Sequence, residues 1–217
     1  MSSRLVLCIG DLFIPDRAIF KNLLKPGKIG QVLCLGNLTS PSVYAWLRTL
    51  APDLHIVKGD YDCLPPPPAA QPQVGNLGVI THGSLRIALT SSLPLLPPSD
   101  PDSLLIAARQ MDVDVLLYGG TGRFEAYEMD GKFFVSPGSA TGAPVFREWD
   151  GGAGGDFKDG EGEDGGEGEG EGGVPSFVLM DVQGDVLVLY VYQLRKDADG
   201  ADSVGVEKVS FRKGGAV

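Results

Sequence analysis

Asp11, Asn37 and Asp60 each follow a glycine at the end of a short apolar run, and three oxygen-bearing side chains in that common setting could act on one centre. The runs are Leu5-Val6-Leu7-Cys8-Ile9-Gly10, Val32-Leu33-Cys34-Leu35-Gly36 and His55-Ile56-Val57-Lys58-Gly59. A fourth, Val113 to Tyr118, ends in Gly119-Gly120. Two carboxylates and a carboxamide gathered together are oxygen ligands for a hard or borderline cation. Histidines that would ordinarily complete such a set are scarce, for the chain has only His55 and His82.

Short continuous apolar runs read as buried parallel strands, and α/β sheets place their sites just beyond the carboxyl ends of such strands. Between the runs, Arg17 to Leu24 and Ser42 to Leu50 show helical spacing, with Val43, Trp46, Leu47 and Leu50 on one face of the second. Strand, helix, strand, helix, strand is a βαβ signature. Asn76 to Ile80 and Leu85 to Leu89 then flank a predicted hairpin turn at Thr81-His82-Gly83-Ser84. A third helix spans Ser103 to Met111, capped by Ser or Asp. Phe124 to Met129, Lys132 to Val135, Ser176 to Gln183, Val186 to Leu194 and Val204 to Phe211 are β-rich and joined in part by turn dipeptides, so they read as antiparallel strands. The expected architecture is α/β (α+β): a two-layer β-sandwich of mixed sheets flanked by helices. The first half should build one sheet and the later strands a second.

The 217 residues suffice for one good core, so residues 1–217 are expected to form a single domain. The net charge of −10 is mostly local: residues 150–173 hold nine Asp or Glu and one Lys, a net of −8, leaving about −2 elsewhere. This glycine and glutamate tract cannot bury apolar surface and is expected to be a disordered insertion between two strands. A nearly balanced body with no basic stripe argues against nucleic-acid binding. No apolar run reaches the 18 or so residues of a membrane span, and the first eleven residues do not form a secretory signal. Cys8 and Cys34 fall inside predicted strands and Cys63 is isolated, which fits buried thiols in a reducing cytosol rather than a disulfide framework.

Taken in order, Gly10-Asp11-Leu12-Phe13-Ile14-Pro15, Gly36-Asn37, Gly59-Asp60-Tyr61-Asp62 and Ser136-Pro137-Gly138-Ser139-Ala140-Thr141-Gly142 resemble the calcineurin-like metallophosphoesterases. Active members cage two metals with Asp, Asn and His around a hydroxide that attacks phosphorus. The resemblance places Asp11, Asn37 and Asp60 at ligand positions, with Phe13 where the first block carries His. Ser91 takes the position of a later His, because the spacing to Met111-Asp112-Val113-Asp114 favours it over His82. Gly120 and Gly122 stand where the Gly-His-Thr-His block has its two histidines. Three oxygen ligands cannot hold two transition metals, and no imidazole remains to protonate a leaving group. The expectation is a degenerate site without catalysis or cofactor. The rival is a metal-dependent phosphoesterase using Asp11, Asn37, Asp60 and Asp62 with a reduced ligand set. A phosphate-cradling reading of Gly119 to Arg123 fails for want of a Lys and a following helix.

Together with Pro175 to Asp181 and Tyr190 to Leu194, these blocks narrow the resemblance to the small subunits of retromer, a coat that sorts cargo at endosomes. That resemblance implies a cytoplasmic protein recruited to endosomal membrane within a complex, with no insertion of its own. It also implies two docking surfaces. Leu95 and Leu96, on the Pro-rich loop after Ser91, match apolar positions that meet the large α-solenoid subunit. Two prolyl-flanked leucines in a loop are good anchors, although folding back onto the core is the alternative. Leu5, Leu23, Leu179, Tyr190, Tyr192 and Val206 match a pocket for regulators carrying short Pro-Leu motifs. Ordinary sheet packing would account for these six residues equally well.

Overall fold

A computed structural model describes residues 5–12, 22–59, 61–62, 77–91, 99–142, 173–196 and 202–215. Their strands form two sheets stacked face to face. The first holds β1 (Leu5–Ile9), β2 (Ile29–Cys34), β3 (Asp53–Ile56), β9 (Ser176–Gln183), β10 (Val186–Lys196) and β11 (Asp202–Arg212), in the order β11-β10-β9-β1-β2-β3. The second holds β4 (Leu77–His82), β5 (Leu85–Thr90), β6 (Val115–Tyr118), β7 (Phe124–Met129) and β8 (Lys132–Pro137), in the order β4-β5-β6-β8-β7. The sandwich of mixed sheets is as the sequence predicts.

The division of strands between the sheets is not. The first sheet takes both ends of the chain, with β1 parallel to β2 and antiparallel to β9. The second sheet is the contiguous middle. Hydropathy marks a buried strand but not its neighbour, which is why the order of the runs misled. β8 is likewise parallel to β6 while antiparallel to β7, so the later strands are not uniformly antiparallel.

Alternation assigns each strand's two faces to different layers. Val6, Cys8, Leu33, Val178, Met180, Leu189 and Val191 of the first sheet pack against Leu85, Ile87, Leu89, Val115, Leu117, Phe133 and Val135 of the second. Leu7, Ile9, Val32, Cys34, Leu54 and Ile56 point outward and are covered by Val43, Leu47 and Leu50 of α1 (Pro41–Leu50). Ala88, Leu116 and Phe134 are covered by Leu104 and Ala108 of α2 (Pro101–Gln110). Both helices begin on proline, whose fixed φ suits the first turn. Asp100 caps α2 by accepting from the Ser103 amide at 2.9 Å. The predicted helix over 17–24 lies largely outside the described residues, as do Cys63 and the tract at 150–172. Cys8 and Cys34 are buried free thiols, and burial pushes the Cys34 thiol up to about 12.

Candidate functional site

β1, β2, β3, β5 and β6 all run the same way, so their carboxyl ends deliver Asp11, Asn37, the Gly59 turn, Ser91 and Gly119 to one end of the sandwich. Asp11 is buried, 2% exposed, with φ +47, and Asn37 also sits in the left-handed region at φ +56. Asp and Asn tolerate that region better than other side-chain-bearing residues. Close packing demands glycine around them: a β-carbon on Gly36 would come within 2.7 Å of the Gly59 Cα. One on Gly119 would meet the Leu35 carbonyl oxygen at 2.6 Å.

The Asp11 carboxylate is surrounded by donors. Asn37 Nδ2 donates to Oδ1 at 2.6 Å, and the amides of Gly120 and Gly122 donate to Oδ2 at 3.1 and 3.2 Å. Ser139 and Thr141 hydroxyls donate to the Asp11 main-chain oxygen at 2.8 and 3.2 Å. The orientation of the Asn37 amide is fixed independently. Its Oδ1 accepts from the Tyr61 amide at 3.1 Å, and since a backbone N–H can only donate, the NH2 group must be the end that faces Asp11. Asp62 is committed to the loops as well, accepting from the Gly59 amide at 2.7 Å and from the Leu38 amide. Burial raises its carboxyl above the usual range, opposed by those N–H bonds.

A divalent cation needs converging lone pairs. Here Asn37 and the residues at 120 and 122 present hydrogens to Asp11, so the residues described do not fit the two-metal centre of the superfamily. Ser91 Oγ, buried at 2% exposure without a hydrogen-bond partner, is the one feature that leans the other way. Among the described residues no group of three or more His, Cys, Asp or Glu is placed to hold a metal. Phe13 and Asp60 lie outside the described residues, as do Leu95 and Leu96.

Against these sequence and structural features, residues 5–149 match the calcineurin-like phosphoesterase superfamily domain. The chain is 48% identical over 214 residues to vacuolar protein sorting-associated protein 29 (Vps29) of Schizosaccharomyces pombe, covering 96% of this chain and 98% of that one. The chain belongs to the Vps29 family. Vps29 of Chaetomium thermophilum is 46% identical and superposes with a TM-score of 0.76, with 97% of each chain covered. That protein has also been solved with a cyclic peptide. Entamoeba histolytica Vps29, solved with zinc, is 35% identical with a TM-score of 0.72, covering 96% of this chain and 99% of that one.

Of the expected regulator residues of this Vps29-family chain, Leu179, Tyr190, Tyr192 and Val206 come together on the outer face of the first sheet, whereas Leu23 precedes β2 outside the strands. Register pairs Leu179 with Leu7 and with Tyr190, and Tyr192 with both Phe177 and Val206. Tyr192 stacks on Phe177 with ring centroids 4.7 Å apart. Alternation puts Leu5 on the same face. Val206 and Leu23 are 53% and 46% exposed, more than core leucine or valine would be.

Both histidines lie at the other end. His82 closes β4 as a strand residue, where the sequence suggested a turn. Its Nε2 is 2.6 Å from Gln31 Oε1, Gln31 Nε2 donates to Asp53 Oδ2 at 2.6 Å, and His55 Nε2 is 3.0 Å from Asp53 Oδ1. This polar chain was not anticipated. Gln31 and Asp53, alternating with apolar residues at the start of β2 and β3, were its only sequence signal.

Proposed function

We propose that the chain is a non-catalytic scaffold subunit of the retromer endosomal sorting coat, folded as one domain over residues 1–217 with an acidic insertion at 150–173. The observation that carries the non-catalytic reading is the occupation of Asp11 by the Asn37, Gly120 and Gly122 donors. A phosphoesterase needs that carboxylate to bind metal, and needs an imidazole to protonate its leaving group. Neither requirement is met by glycines at 120 and 122.

The scaffold has two faces. Leu95 and Leu96 anchor the end of the large α-solenoid subunit beside the vestigial metal face, at Asp11, Phe13, Asn37, Asp60, Ser91, Gly120 and Gly122. Leu5, Leu23, Leu179, Tyr190, Tyr192 and Val206 receive regulators with short Pro-Leu motifs. The outward alignment of Leu179, Tyr190, Tyr192 and Val206 supports this, because tyrosine offers large apolar area with a polar tip. The protein then works in the cytoplasm at the endosomal surface, without cofactor.

Leu96→Asp should abolish binding to the solenoid subunit and leave regulator peptides bound, whereas Val206→Asp should do the reverse, both read by calorimetry. Loss of both interactions in either variant, or of neither in both, would overturn the two-face assignment. The Ser91 hydroxyl keeps a metal-dependent phosphoesterase with a reduced ligand set as the second reading. Hydrolysis of a phosphomonoester that requires zinc or manganese and vanishes in Asp11→Ala would establish that reading instead.

A further inference from the structure

The segment after β6 does more than omit two ligands. Gly120 and Gly122 have φ of +89 and +66, conformations in which a histidine would be strained. In that conformation their amides reach the Asp11 carboxylate from a loop 109 and 111 residues away in sequence. The same two positions therefore lack the imidazoles and supply the replacement donors. Asn37 adds the third, held in place from behind by Tyr61.

We propose that these three donors permanently replace the cation of the fold, making the cradle a self-filled joint between the two sheets that forms and persists without divalent metal. Asp11 ends a strand of the first sheet, and the glycines follow a strand of the second. A metal bridging ligands from both sheets would tie the same two elements together. Charge-assisted hydrogen bonds are the strong ones, and those from Asn37 and Gly122 are buried while that from Gly120 is partly so. Entry of a cation would require breaking three of them, turning Asn37 away from the Tyr61 amide, and facing N–H dipoles of the wrong sign. Ser139 and Thr141 add to the joint by holding the Asp11 main-chain oxygen from the turn after β8. The inference is independent of the partner assignment, since it concerns the shape of the cradle and not what docks beside it.

The test is amide exchange and metal titration followed by nuclear magnetic resonance on the intact chain, stripped with a chelator. The Gly120 and Gly122 amides should exchange at least about a hundredfold more slowly than in an unstructured peptide, with or without chelator. Adding zinc should leave these amides and the Asn37 side-chain signals unmoved, and adding manganese should leave them unbroadened. The melting temperature should not rise with either ion. Asp11→Asn should release the protection of both glycine amides, and metal should not restore it. Fast exchange in the wild type, or zinc shifts and manganese broadening centred on Gly120, Gly122 and Asn37, would overturn the proposal. Should Asp11→Asn fail to fold, the wild-type exchange and titrations decide alone. Solenoid binding measured in parallel separates this outcome from the scaffold assignment: binding can fail while the joint stands, and the reverse.

Discussion

The two ends of the sandwich hold polar networks of opposite design. At the carboxyl ends of the parallel strands, a buried carboxylate is saturated by fixed donors, two of them backbone. At the opposite end, His82, Gln31, Asp53 and His55 form a side-chain relay on the open edge where β3 and β4 are the outermost strands of their sheets. The first network centres on a buried carboxylate and amide, with only the Gly120 donor at the surface. The second is built from side chains alone, with Gln31 buried and Asp53, His55 and His82 partly or fully exposed. The lesson is that both histidines of this chain sit away from the face where the superfamily places its imidazoles.

The sharpest way to break that contrast is at Asp11. Asp11→Ala leaves three donors without their acceptor and should cost about 3 kcal/mol or more, since bonds to buried charges are expensive to lose. Urea unfolding at neutral pH would show it as a lowered midpoint at unchanged slope. At the other end, Gln31→Ala interrupts the relay, and water can reach the exposed Asp53 and partly exposed His82 that it leaves behind. The loss there should be about 1 kcal/mol, by the same measurement. An equal cost at the two ends would erase the distinction between the charged joint and the side-chain relay.

The smallest effect is pH dependence. Burial lowers the His82 pKa below the ordinary histidine value, with Asp53 opposing and His55 adding to the fall. A base whose pKa is depressed by folding binds its proton more readily when unfolded. Its contribution is therefore complete above about pH 6.5 and is lost as pH falls through the folded value. Between pH 7.5 and 5.5 the loss should stay under about 1 kcal/mol, because His82 is half-exposed and screened. His82→Gln should flatten that part of the stability profile, and an unchanged profile would remove His82 from the relay.

The strand ends were legible because glycine-bounded apolar runs admit few other readings. Asp11, Asn37 and Gly119 accordingly arrive together at one end of the sandwich, and Ser91 reaches the same end after β5, a position only the family resemblance marked. The direction of the Asn37 amide was not legible, because it depends on the Tyr61 backbone, 24 residues away. Nor was the reach of Gly120 and Gly122 toward Asp11, since a glycine in sequence signals freedom without saying which way its N–H points. Sheet membership failed for a related reason. β1 pairs with β9, and nothing in Leu5 to Ile9 advertises a partner some 170 residues downstream.

That pairing has a bearing on how the protein is made. β1 is an interior strand of its sheet, yet one of its two neighbours leaves the ribosome only some 170 residues later. The second sheet, contiguous from Leu77 to Pro137, can be completed while β1, β2 and β3 still wait for β9. During that interval the apolar edge of β1 is unpaired, the situation in which chains associate wrongly. Biogenesis should accordingly be limited by closure of the first sheet, with nascent chains arrested before Ser176 more dependent on chaperones than those extended beyond Arg212.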